Sequence, residues 1–152
     1  MKHAMEELTQ TAPYARAMTL PVAPAIATEL ALVYHVILEA MRGGYGNEAH
    51  LGSMLQLTIR TLLIGEKGRV RLKQHVFREA QNGIVRCRLA GMRTGSWTPD
   101  PATYETLCEV LATFDRQLAV TPFYEFMLVN EEVNASIARR KAKAAKKDAK
   151  SG

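Results

Sequence analysis

A chain of 152 residues, 47% apolar and 23% charged, has the size and composition of one globular domain and can bury roughly two thirds of its unfolded surface without disulfides or metals. Its two cysteines, Cys87 and Cys108, form no CxxC or Cys/His ligand spacing, which argues against a zinc site, a redox pair or a secreted disulfide scaffold and predicts a cytoplasmic protein. The net charge of +5 hides an asymmetry: residues 66–95 and 138–152 each carry a net +6, and the remainder carries −7. Such polarity suits either a polyanion or a complementary protein face, including that of another copy of the chain.

The chain opens Met-Lys-His-Ala-Met-Glu-Glu, with acids where a signal peptide needs an apolar run, so export is not expected. Pro13, Pro21 and Pro24 punctuate a stretch without periodicity, and residues 1–24 read as an extended arm. From Ala25, the spacing of Ile26, Leu30, Val33, Tyr34, Ile37, Leu38 and Met41 predicts a helix ended by Gly43-Gly44. Glu29, His35 and Glu39 interrupt the apolar run Val22 to Met41 at intervals that are costly in lipid, so it reads as a core helix and no membrane partner is expected.

Asn47 then caps a second helix through Leu51, Met54, Leu55, Thr58 and Leu62, closed by Gly65 and Gly68. Over residues 69–94, Leu72, Val76, Phe77, Ala80, Ile84 and Cys87 fall in one arc and favour a third helix. Asn82-Gly83 followed by alternation through residues 84–89 leaves a strand open there, although no second strand is present to pair with it. Asp100-Pro101 supplies a cap and a first-turn proline for a fourth helix with the stripe Tyr104, Leu107, Cys108, Leu111, Phe114 and Leu118. Thr121-Pro122 opens a fifth through Phe126, Met127, Val133 and Ile137, which can run into the Ala/Lys stretch. The expected fold is all-α: an antiparallel bundle of four to five helices at 25–137, an extended N-terminal arm, and a basic C-terminal tail at 138–152, helical or disordered.

Thr94-Gly95-Ser96-Trp97, followed by a leucine-rich helix ending Asp115-Arg116-Gln117-Leu118, resembles a pattern in small, uncharacterised helical proteins of bacterial mobile elements. The resemblance covers about a fifth of the chain. It implies a phage or plasmid accessory role and brings no activity with it.

Gly44-Tyr45-Gly46-Asn47-Glu48-Ala49 has the letters GxGxxA but follows a helix rather than a strand, so it reads as a turn, as does Gly65-Glu66-Lys67-Gly68. His35 and Glu39, with Glu48 and His50 on the next helix, could in principle gather round a metal, yet no Glu-x-x-His pair recurs on two helices. No cofactor or metal is therefore implied, and no catalytic residue is assigned; Ser53 lacks a nucleophile elbow.

The basic segments carry more. On a helical projection Arg71, His75, Arg78, Asn82, Arg86 and Arg93 fall within about 80° of one another, opposite the apolar arc. Guanidinium forks at helical spacing suit a nucleic-acid backbone or an acidic protein face; the alternative is a solvated face paired with Glu105, Glu109 or Asp115. The tail adds Arg139, Arg140, Lys141, Lys143, Lys146, Lys147 and Lys150 against Asp148, without an aromatic to stack on bases. A helix-turn-helix that reads bases with Arg69, Arg71, Lys73 and Gln74 fits less well, because its turn holds two glycines flanking charges. The leading expectation is a non-enzymatic accessory protein that contacts DNA or RNA backbone through tail and stripe. The alternatives are a protein-binding module or inhibitor that fits an acidic protein surface or forms a homo-oligomer, and a metal-dependent enzyme.

Overall fold

The computed structural model describes residues 15–151, of which 82% are helical and none lies in a strand. After a helical stretch at 15–19 come five long helices: α1 (Pro24–Arg42), α2 (Glu48–Glu66), α3 (Gln74–Thr94), α4 (Pro101–Val120) and α5 (Phe123–Ser151). The alternation at 84–89 is therefore inside a helix. Residues 1–14 of the expected arm lie outside the described residues, and residues 15–19 of it are helical rather than extended. The stretch that follows is tied down: Leu20 accepts a 2.9 Å hydrogen bond from the Phe123 amide, and Pro21 bridges to Pro122.

Helix boundaries follow the local chemistry. The Asn47 side chain accepts from the His50 amide at 2.9 Å and Asp100 accepts from the Thr103 amide at 2.8 Å, each satisfying a donor that a helix start leaves open. Pro24 and Pro101 occupy first-turn positions where no amide is needed. Gly95 ends α3 at φ +78°, in the left-handed region that favours glycine.

The third helix begins at Gln74, not near residue 69, so Arg71 lies on the connection before it. The backbone there is held by a different partner: the buried Gln117 amide donates to the Thr61 carbonyl at 2.9 Å and to the Val70 carbonyl at 2.7 Å. Arg69 on the same connection forms a paired contact with Glu125 on α5, at 3.2 and 3.3 Å.

Helix α2 packs against α1, α3, α4 and α5. Its buried face presents Leu51, Met54, Leu57 and Ile64. On α4, Leu107, Leu111, Phe114 and Leu118 of the stripe are buried, together with Val110 outside it, while Tyr104 and Cys108 are half-buried. Phe114 meets the Tyr34 ring edge-on at 5.6 Å and the Phe126 ring at 6.4 Å, which links α1, α4 and α5. The Arg60 guanidinium, 9% exposed, donates 2.7 Å hydrogen bonds to Tyr34 on α1 and Asn130 on α5.

Helix α1 is not the core helix its apolar run suggests. It packs on α2 and α4 along one side, burying Leu38 and Met41, while Ile26, Leu32, Val33 and Val36 remain 51–58% exposed. Two neighbours cover only part of a helix whose apolar residues encircle it. Its length and mean hydropathy of 1.3 also meet the requirement for crossing a membrane, alone among the described helices.

Two glycines set the approach of α3 to α4 and to the connection that precedes it. A Cβ on Gly83 would fall on Thr103, and one on Gly91 would fall on the Trp97 ring. Gly91→Ala is expected to cost about 1–3 kcal/mol through overpacking. Leu111→Ala, at a site 1% exposed, is expected to cost about 2–5 kcal/mol. Denaturant midpoints check both, and an unshifted midpoint for either variant contradicts the packing described.

Candidate nucleic-acid interface and adjoining groove

The basic stretch at the C-terminus continues α5 without a break, and every residue from Ala138 to Lys150 is exposed. Packing of Val129 and Val133 fixes the first half of the helix, and the second half extends it. At 100° per residue, Arg139, Lys143, Lys146 and Lys150 share one face, spanning about 16 Å of helix axis. Arg139, Lys143 and Lys146 also line a shallow depression with Ser136 and Arg140. Arg140 and Lys141 leave the helix on either side of Ile137 and border a second surface, which Arg140 joins to the first. Lys147 and Asp148 each make further interactions of their own.

The predicted stripe on α3 is only partly a stripe. His75, Arg78, Arg86 and Arg93 are exposed on that helix, whereas Arg71 stands before it. Arg86 is committed to the start of α4, with Nε 3.3 Å from Asp100 Oδ2 and Nη2 3.1 Å from Thr103 Oγ1. The Thr103 amide, with Arg86 adding to it, holds the Asp100 carboxyl below its ordinary range. Glu105 and Glu109 make no ion pair with the stripe, and Asp115 instead meets His35 Nε2 at 2.9 Å. Val85, Leu89 and Met92, 55–66% exposed, interleave the cations, so this face is mixed rather than a continuous cationic track. Helix spacing turns Arg86 about 160° and Arg93 about 140° away from Arg88, the α3 cation on the side facing α5. The fold thus does not bring the whole stripe and the tail onto one face.

Helices α3 and α5 both pack on α2 but not on each other, and between them lies a groove of about 360 Å³. Leu51, Leu55 and Ile59 of α2, Ile84 of α3 and Ile137 of α5 give it an apolar lining. Arg88, Arg140, Lys141 and Glu48 stand at its border, and none of the four forms an ion pair within the described residues. The sequence reading passed over this site. Arg88 lies on the flank between the apolar arc and the basic stripe, and the signal that could have exposed the floor was the second apolar run Leu51-Leu55-Ile59 at four-residue spacing.

The histidine and acid cluster considered for metal binding is divided. His35 pairs with Asp115, and Glu39 accepts from Arg42 at 2.6 Å and from the Tyr104 hydroxyl at 2.5 Å. Among the described residues, no three His, Cys, Asp or Glu side chains gather in an arrangement that could hold a metal ion. Compared with known proteins, the chain matches no family model, no curated protein and no solved structure.

The hydrogen bond that the Tyr104 hydroxyl donates to the Glu39 carboxylate, followed by its interaction with the Cys108 thiol and by desolvation, pushes the phenol up to about 12. A spectrophotometric titration, with Tyr104→Phe subtracted to isolate this phenol, should place its ionisation near that value. Glu39→Gln should lower it, with the contributions of Cys108 and desolvation left in place, and an unmoved Tyr104 transition in that variant contradicts the pairing.

Proposed function

We propose that this chain is a non-enzymatic helical accessory protein, an antiparallel bundle with a basic C-terminal tail, that contacts the backbone of DNA or RNA through α5. One observation carries the reading: four cations, Arg139, Lys143, Lys146 and Lys150, share an exposed face of a helix anchored in the bundle by its other half. Arg140, Lys141 and Lys147 add to the field around it. On α3, Arg78, His75 and Arg93 supply a weaker second contact with Arg71 before them, whereas Arg86 acts mainly as a fastening to α4. Such binding is blind to sequence because nothing in the tail reads or stacks on a base. The setting is cytoplasmic, and the His35 and Glu39 contacts of α1 with α4 support a helix seated in protein rather than lipid.

A second reading rests on a separate observation, the exposed apolar side chains Ile26, Leu32, Val33 and Val36 of α1. They favour a protein partner or a second copy of the chain. Sedimentation at several protein concentrations tests for the latter.

Each phosphate contact contributes about −0.9 to the slope of log affinity against log salt on duplex DNA. Deleting Arg139 to Gly152 should flatten that slope by several such increments. Arg78→Glu with Arg93→Glu should weaken the truncated protein further and equally on unrelated sequences, with its thermal midpoint within a few degrees. Failure of the full chain to bind duplex DNA or single-stranded RNA at low salt rejects the proposal.

A further inference from the structure

The outward face of α5 accounts for four of its cations and leaves Arg140 and Lys141 directed to the groove beside α2. That groove has a polarity along its length. Arg60 of α2 bonds Asn130 of α5, so moving ten or eleven residues on along α5, about 15 Å, carries Arg140 and Lys141 toward the start of α2. Gly65 near the other end of α2 abuts Leu72 just before α3, so Arg88, some twenty ångströms along α3, also lies toward the start of α2. Three cations therefore converge near one end, where the α2 N-terminus adds its partial positive charge, while Leu55 and Ile59 continue the apolar floor away from them.

Gly52 is the informative residue on that floor. It sits inside α2, where glycine is unfavourable, yet a Cβ built on it meets nothing within 4 Å. Unlike Gly83 and Gly91, it is not required by a packed neighbour. Its lack of a side chain keeps the groove open.

We propose that this groove binds a small amphiphilic anion, a single acyl chain ending in a carboxylate. The chain would lie on Leu55, Ile59, Ile84 and Ile137, and the carboxylate would meet Arg88, Arg140 and Lys141. Charge and size select this occupant. Three cations against the single Glu48 favour an anionic head, and the apolar lining favours a hydrocarbon over a free phosphate or a nucleotide. The volume of about 360 Å³ is at the lower end for small-molecule sites. A partner helix of the same length and about 10 Å across would occupy over ~1,000 Å³. The proposal does not rest on nucleic-acid binding, whose four-cation face on α5 adjoins the groove at Arg140.

Calorimetric titration of the full chain with dodecanoate, held below its micellar range, tests the site against dodecanol and a short DNA duplex. Saturable binding of one dodecanoate per chain is expected, with dodecanol at least tenfold weaker. Gly52→Leu should abolish the binding while leaving the thermal midpoint unchanged or raised, because leucine is the better helix former. Arg88→Gln with Arg140→Gln should weaken dodecanoate at least tenfold and leave dodecanol as it was. Absence of saturable dodecanoate binding, equal affinity for the alcohol, or full binding by Gly52→Leu overturns the proposal. So does a result in which the Arg88/Arg140 pair alters DNA affinity alone, since the rim would then belong to the polyanion surface. Retained DNA binding with no dodecanoate binding sinks only this site, whereas the converse sinks only the nucleic-acid reading.

Discussion

Everything in this fold leans on one helix that is apolar almost all the way round. Helix α2 carries Leu51, Met54, Leu57 and Ile64 on its buried face and Leu55 and Ile59 beyond it, and only by taking four neighbours can it remove that surface from water. Three of the polar side chains it buries find partners: Thr58 and Thr61 donate back to carbonyls one turn earlier at 2.7 Å, and Arg60 reaches a phenol on α1 and an amide on α5, whereas His50 Nδ1 is buried with no hydrogen-bond partner among the described residues. The Gln117 side chain performs the same service from α4, joining Thr61 of α2 to Val70 of the connection. Without α2, α5 would keep its Phe126 contact with Phe114 of α4, and α1 and α3 would meet on α4 alone.

The same constraint explains what is left open. Four helices cannot close completely round a fifth when two of them, α3 and α5, do not touch, and the gap between them is the groove. Helix α1 is covered on one side only, which leaves Val33 and Val36 in solvent. Uncovered apolar surface in this chain is thus a consequence of which helices pair, and the groove and the α1 face differ in character. The groove is concave and bordered by cations; the α1 face lies on a single helix with Glu29 as the acid nearest its exposed side chains.

Local chemistry made the helix starts legible from sequence alone. Asp100-Pro101 and Asn47 act as read, and the α4 stripe is buried at Leu107, Leu111, Phe114 and Leu118 because a regular stripe beside a strong cap leaves little ambiguity. What periodicity does not encode is the number of neighbours a helix will have, so Ile26 and Val33 share the spacing of core residues although no helix covers them. Nor does it encode long-range capture of backbone: Gln117 holds the Val70 carbonyl, a partner 47 residues away, and this places Arg71 off the helix. The basic stripe failed in part for a related reason. A projection records direction, not that Arg86 would find Asp100 or that Val85, Leu89 and Met92 would lie exposed between the arginines. The tail was open between order and disorder because an isolated Ala/Lys segment of that length is marginal in water.

Continuity with the packed half of α5 removes that ambiguity. The costly nucleus is already formed where Val129 and Val133 are buried, so each residue beyond Ile137 needs only to propagate an existing helix. Alanine at 138, 142, 144, 145 and 149 favours propagation, and cations near the C-terminus suit the helix dipole. Against this stand like charges at four-residue spacing, Arg139 with Lys143, Lys143 with Lys147 and Lys146 with Lys150, each opposing the helix by about 0.2–0.5 kcal/mol. The repulsion is greatest where no counter-charge is supplied. Under the proposed function, a polyanion laid along this face would remove it and tighten the helix at the same time, so binding and helix stability would rise together. The acid that interrupts the run, Asp148, sits near its end, where it leaves the Arg139 to Lys146 face unneutralised.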